Sequence, residues 1–424
     1  MVFKKNTLVF VVGLLLVLSC FAVIIIGMNY TLSKDYDNVE KKSIPVMNIT
    51  LNDVDLEQVN SGSKDEKYKV TVSLGGDNDY QDVMLKGHGN FSWQDDKKSY
   101  TLKFQKKVDI LNMGKVKKWV LVANSIDKSF LRNDLGLYVS RIITGSPIIG
   151  DYINLVINGI DLGLYYATKA VDIDKNLIHL TDANGVIVEY DGQYGGLEEN
   201  KYKTYNDGIL TVKDLVREED SEKALLDFGE VFDKAGVLAM NGFFDELNEY
   251  LDIESFALYY LISEFTGNPD AFLTSFFMYK DGSNDRIHAG PGWDFDAAFG
   301  NRQWGNHDDD FYSPTSLLVF RNPVHSEGSK ASRLIYDLIE LPEFYELVCK
   351  IYRERLMGKE EEIVARIDQR VEEIRKNAQE DERIWGREGF DEEIDYLKKW
   401  INIRFKILDE MYGGRIIPVE KREY

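Results

Sequence analysis

An uncharged apolar run, "TLVFVVGLLLVLSCFAVIIIGM", occupies Thr7 to Met28. It restricts the chain more than any other stretch, because about 20 successive apolar residues are enough for a helix to cross a bilayer. A cleaved secretory signal has a shorter apolar core and a small-residue cleavage site. Ser19-Cys20 resembles a lipoprotein processing site, but "FAVIII" carries the apolar run past the cysteine. The expectation is an uncleaved signal anchor over residues 7–28, with lipoprotein processing at Cys20 as the alternative. Lys4 and Lys5 precede the run and the acid-containing "KDYDNVEKK" follows it, an asymmetry that puts residues 1–6 in the cytoplasm and the body outside it. The implied partner of this run is the membrane lipid bilayer, in a single-pass arrangement. Residues 29–42 read as a polar stalk.

The remaining chain carries the acidity. A formal net charge of −21 argues against nucleic acid as a partner, since binding a phosphate backbone needs clustered cations. Two cysteines and five scattered histidines give no disulfide framework and no thiolate or histidine metal spacing.

Two periodicities divide residues 43–412, leaving 413–424 as a tail. Short alternating segments such as "PVMNITLN", "KYKVTVSLGG" and "SYTLKFQKK" read as strands between Gly, Asn and Asp turns. "DYINLVINGIDLGLYYATKAV" reads as a hairpin turning at Asn158-Gly159. "KSFLRNDLGLYVSRII" has helical spacing. From about residue 201 helices dominate, interrupted by a strand pair in "TSFFMYKD" and "RIHAGPGWDFD" with a turn near Gly282, and with apolar stripes at Ile363, Ile367, Val371 and Ile374 and again at Ile394, Leu397, Ile401, Phe405 and Leu408. The pattern predicts a sheet-rich lobe over about 43–200 and a helical lobe over about 201–412.

Near the join lies "GPGWDFDAAFGN", in which Asp294 and Asp296 flank Phe295. Two readings apply: a strand end whose acids face solvent, or a site for a hard divalent cation, which seeks clustered carboxylate oxygens. If the segment is a strand, alternation sends both carboxylates to one side and Trp293 and Phe295 to the other. Upstream, "LISEFTGNPDAFLTSFFMYKDG" places Asp270 just after a helix and a Gly-Asn-Pro turn.

These segments, taken with "GHGNFSWQDDKKSYTLKF", "KKWVLVANSIDKSFLRNDLGLYVSR" and "INGIDLGLYYATKAVD", follow in order from about Val83 to Asn301. The ordered set resembles the spore coat protein H (CotH) kinase family, and "YLKKWINIRFKIL" near the carboxy terminus is similar to it too. The resemblance implies an α+β, divergent protein-kinase-like two-lobed fold. It also implies transfer of the ATP γ-phosphoryl group to Ser or Thr of a protein substrate at the cell surface or spore coat, with ATP and Mg²⁺ or Mn²⁺ as cofactors. Carried over by motif, Asp294 and Asp296 would hold the metal, and Asp270 would orient the acceptor hydroxyl and take its proton. Lys98 would contact the phosphates, with Lys103 as a substitute, and Arg132 would help to bind nucleotide. Each has a plainer alternative. Asp270 can cap a turn, Lys98 can be an edge-strand lysine, and Arg132 can pair with Asp127 to hold a loop to a helix.

Three positions depart from the family pattern. His88 stands where Arg is usual, Lys169 where Glu is usual, and Ser275 where Asn is frequent. A histidine near its ordinary pKa replaces a permanent cation poorly. The alternatives to a kinase are therefore a catalytically impaired CotH-like surface module and a metal-dependent glycosyltransferase, which also uses Asp-x-Asp.

Overall fold

The computed structural model describes residues 43–414, apart from 76–77, 91, 218–220, 304, 306–307 and 319–330. The apolar run at residues 7–28 lies outside the described residues, and among those described no helix is long and apolar enough to cross a membrane.

The described residues from Ile44 to 414 form one compact unit. Its first part is a closed barrel of seven strands in the order β1-β2-β3-β4-β5-β7-β6. These are β1 (Val46–Leu51), β2 (Tyr68–Leu74), β3 (Asn78–His88), β4 (Ser99–Asp109), β5 (Lys115–Val122), β6 (Gly150–Ile157) and β7 (Ile160–Lys169). All pairings in it are antiparallel except the β1–β6 seam that closes it. Strand alternation fills the barrel: Val83 and Leu85, Leu102 and Phe104, Trp119 and Leu121 point inward and are buried. Lys103, between Leu102 and Phe104, faces outward and is exposed, and Lys117 at the start of β5 is exposed as well. The hairpin turn at Asn158-Gly159 has φ of 49° and 80°, so both residues occupy the left-handed region this tight turn requires.

A second sheet has the order β12-β11-β8-β10-β9. It contains β8 (Val186–Tyr190), β9 (Lys201–Lys203), β10 (Ile209–Leu215), β11 (Phe276–Lys280) and β12 (His288–Ala289). The helices include α1 (Leu56–Ser61), α2 (Arg132–Thr144), α3 (Ser221–Met240), α4 (Ile253–Thr266), α5 (Arg333–Ile339), α6 (Pro342–Ile351), α7 (Glu360–Trp385) and α8 (Phe390–Tyr412). Pro342 opens α6, where its missing N–H has no helical partner to lose. The stripes read from α7 and α8 are core faces, with Ile363, Ile367, Ile374, Leu397, Ile401 and Leu408 fully buried.

The expected α+β, kinase-like two-lobed arrangement is corrected by this topology. The amino-terminal part is a closed barrel rather than an open sheet lobe. Strands β9 and β10 fall inside the stretch expected to be helical, whereas β11 and β12 form the strand pair expected there. Elements from the two halves interlock: α7 packs on β7 of the barrel, and α2 packs on α4. Ion pairs hold α7 to α2 and to the barrel. Arg366 and Arg370 of α7 reach Asp134 of α2 at 2.8 and 2.9 Å, and Asp381 of α7 binds Lys97 beside the barrel at 2.6 Å. The alternation argument missed the closure because a barrel and an open sheet share the same period of two.

Candidate functional site

Helix α4 ends at Gly267, whose φ of 57° turns the chain out of the helix. Asn268 follows and does two things. Its carbonyl oxygen accepts the Asp270 N–H at 3.2 Å, and its amide donates to the Asp294 carbonyl at 2.9 Å. One side chain thus ties the Asp270 turn to the "WDFD" loop. The Asp270 carbonyl then accepts from Leu273 and Thr274, closing one turn before β11 begins. Between turn and strand sits Ser275, at φ 53°, with its hydroxyl 3.1 Å from Asp294 Oδ2.

"WDFD" is not a strand end: β12 stops at Ala289 and the segment is a loop. Phe295 anchors it. The Phe295 ring is buried against α2, where a Cβ added at Gly136 would lie 2.1 Å from its Cγ, and its N–H donates to Asn133 Oδ1 at 3.0 Å. Asn301 holds the other end, donating to the carbonyls of Asp296 and Ile126 at 2.6 and 2.9 Å. Asp294 sits at φ 59°, a conformation Asp tolerates better than most residues. Loop geometry, not pleat alternation, brings the two acids together.

Asp270, Asp294 and Asp296 offer carboxylate oxygens that all lie within 4.8 Å of one another. They line a cavity of about 460 Å³. Burial raises the Asp270 pKa to about 8, and the charges of Asp294 and Asp191 add to it. Burial also raises Asp294, against hydrogen bonds from Ser275 and Asp296. Asp296 is raised well above the usual carboxylate range by burial and then by Asp294, Asp270 and Asp127. Such a set of all-oxygen, mutually repelling groups fits a hard cation such as Mg²⁺ or Mn²⁺, whose charge would offset the repulsion.

The expected cations are placed differently. Lys98 donates to the Trp93 carbonyl and lies over the Trp93 ring, 5.2 Å from its centroid. Lys103 faces outward from β4 into a separate groove. Arg132 is fully buried, bonded to Asp127, Glu393 and the Ala298 carbonyl, which is the loop-to-helix role. None of the three lines the carboxylate cavity. The ammonium groups that do are Lys64, Lys86 and Lys213. Of the three departures, His88 and Ser275 line the cavity, whereas Lys169 donates to the Pro147 carbonyl at 3.0 Å away from it. Burial, with Lys86 and Lys64 nearby, lowers the His88 pKa to about 4, so the ring is neutral at pH 7.

Residues not singled out from sequence stand in or behind the wall. Glu189 accepts from Ser275 N and pairs with Lys213 at 2.6 Å, and Asp191 accepts from the Thr274 hydroxyl at 3.0 Å. The Asn124 amide nitrogen is buried with no partner among the described residues, a donor open to a ligand. The one sequence signal for Glu189 and Asp191 was two acids at alternate positions of "GVIVEYDG", an otherwise apolar strand.

The site is thus a half-buried trio of carboxylates beside ammonium groups in one cavity, the equipment of a metal-assisted phosphotransferase. Residues 85–408 match the family model described as "CotH kinase protein", and the chain belongs to the CotH kinase family. No curated protein matches it.

Proposed function

We propose that this CotH kinase family protein transfers the γ-phosphoryl group of ATP to a serine or threonine hydroxyl of a protein acceptor. The observation that carries the reading is the convergence of Asp270, Asp294 and Asp296 in the wall of one cavity. A divalent ion held by Asp294 and Asp296 would neutralise phosphate oxygens and align the triphosphate. Asp270 accepts the proton of the acceptor hydroxyl as the new O–P bond forms and the bond to ADP breaks. Without metal its raised pKa keeps it largely protonated at pH 7; a divalent ion on Asp294 and Asp296 would lower that pKa and free the carboxylate to take the proton. Lys213, Lys86 and Lys64 supply the permanent cations. His88 contributes shape and a hydrogen bond with the Thr101 hydroxyl at 3.1 Å, not charge.

The acceptor is taken to be a surface or secreted protein, which rests on the lysine-flanked run at residues 7–28 alone. The reading is tested by incubating the full-length chain with radiolabelled ATP, Mg²⁺ or Mn²⁺ and surface-protein extract. Labelled acceptor that disappears with Asp270→Asn supports it; no label with either ion refutes it.

A second reading, a module that binds a partner without catalysis, is favoured by one observation: Lys98, Lys103 and Arg132 do not line the cavity. Thermal stabilisation by Mg-ATP separates the two, since only a nucleotide site responds. The glycosyltransferase alternative finds no support, because the sheets are almost wholly antiparallel and lack the alternating strand-helix pattern.

A further inference from the structure

Next to the carboxylate cavity, on the outside of the barrel, lies a second groove of about 500 Å³. It is lined by Lys67, Lys86, Lys103, Lys117 and Lys118, with Met84 among them, and by no carboxylate. That is unexpected on a chain of net charge −21. Register explains the crowding. Lys103 of β4 is directly opposite Lys118 of β5 and Met84 of β3, so their side chains share the outer face. Like charges directly opposite across strands destabilise a sheet, so the fold gains nothing from them.

Carboxylates at the rim offset only part of this charge. Lys86 pairs with Asp65 at 3.1 Å, and Lys118 pairs with Asp172. The side chains of Lys67, Lys103 and Lys117 are exposed and make no ion pair or hydrogen bond with the described residues. The groove also leads somewhere: Lys86 and Thr101 line both it and the cavity that holds Asp270, Asp294 and Asp296. Strands are about 4.8 Å apart, so the lysines form a ladder across neighbouring strands that an extended chain can follow.

We propose that this lysine groove docks an acidic segment of the acceptor protein, flanking the hydroxyl that enters the carboxylate cavity. The proposal rests on the kinase reading for its direction, but binding tests it independently. Several weak ion pairs acting together give about tenfold in affinity, weakened by salt.

The test uses the full-length chain and two fluorescein-labelled peptides, one with a single serine among glutamates and one with glutamines in their place. Fluorescence anisotropy without ATP reads binding for the native chain and for Lys103→Glu/Lys117→Glu. The expected result is roughly tenfold tighter binding of the glutamate peptide, lost in the variant and lost in high salt. Equal binding of the two peptides, or an unchanged Kd in the variant, overturns the proposal. So does binding of inorganic polyphosphate with no binding of the glutamate peptide, which would give the groove another occupant. ATP-dependent labelling of either peptide by the native chain is measured separately. Its absence counts against the kinase reading, while the anisotropy still decides the groove.

Discussion

Asp270→Asn should stabilise the metal-free protein while removing its chemistry. Burial, Asp294 and Asp191 raise the Asp270 pKa from 3.8 to about 8 on folding. The folded chain therefore prefers the protonated carboxyl, whereas the unfolded chain ionises it near pH 4. Stability from this group is fully present below that point, falls as pH rises, and levels off near pH 8, where both states are ionised. At pH 7 the difference is about three units at 1.36 kcal/mol each, an upper bound of about 4 kcal/mol. Asparagine has nearly the same shape and no charge to desolvate, so it avoids most of that cost. With the entropy of unfolding expected for a chain of this size, the gain is about 5 °C in Tm. The assay is urea or thermal unfolding in EDTA from pH 4 to 9. The native chain should lose stability across this range and the variant should lose distinctly less, with the curves meeting at the acid end. A variant less stable than the native chain at every pH would refute the electrostatic account and make Asp270 a structural hydrogen-bonding group.

Gly136→Ala should damage the site from a distance: the new Cβ would lie 2.1 Å from Phe295, so helix or loop must move, costing about 1–3 kcal/mol and weakening Mg-ATP stabilisation in thermal shift. His88→Arg puts a permanent cation on the cavity wall and should tighten ATP binding about tenfold by calorimetry, whereas Lys169→Glu, which faces Pro147, should leave it unchanged. Lys97→Met leaves Asp381 buried and unpaired and should cost about 3–5 kcal/mol in urea unfolding; Lys97→Met/Asp381→Leu should recover much of it.

The elements were legible where one force dominates. The Asn158-Gly159 hairpin, the Pro342 helix start and the stripes of α7 and α8 each follow from a local rule, and the structure has all of them. The carboxylates were legible as residues: "WDFD" stands out because acids next to large aromatics need a reason, and "GNPD" because an acid follows a helix end and a turn. How they meet was not legible. It depends on Asn268 and Asn301 bonding to backbone across the fold and on a bare Gly136 that admits Phe295. Barrel closure was hidden for a similar reason, since the β1–β6 seam joins strands far apart in the chain. The lysines were the hardest to place. Lys98 stands just before β4 and Lys213 within β10, and only the β8–β10 pairing brings Lys213 beside Glu189 and the cavity. Lys86 comes to the same wall on β3, and Lys64 from the loop before β2, where it bonds Asn90 just past β3; no local pattern specifies either.

The central claim is that Asp270, Asp294 and Asp296 form one phosphotransfer site with divided roles. Measuring Mg-ATP binding and acceptor labelling side by side, on Asp294→Asn and Asp270→Asn, tests it most directly. Asp294→Asn should lose both Mg-ATP stabilisation and labelling. Asp270→Asn should keep Mg-ATP binding and lose labelling. If Asp294→Asn binds Mg-ATP and labels the acceptor as the native chain does, the carboxylate trio is not the site and the account is wrong.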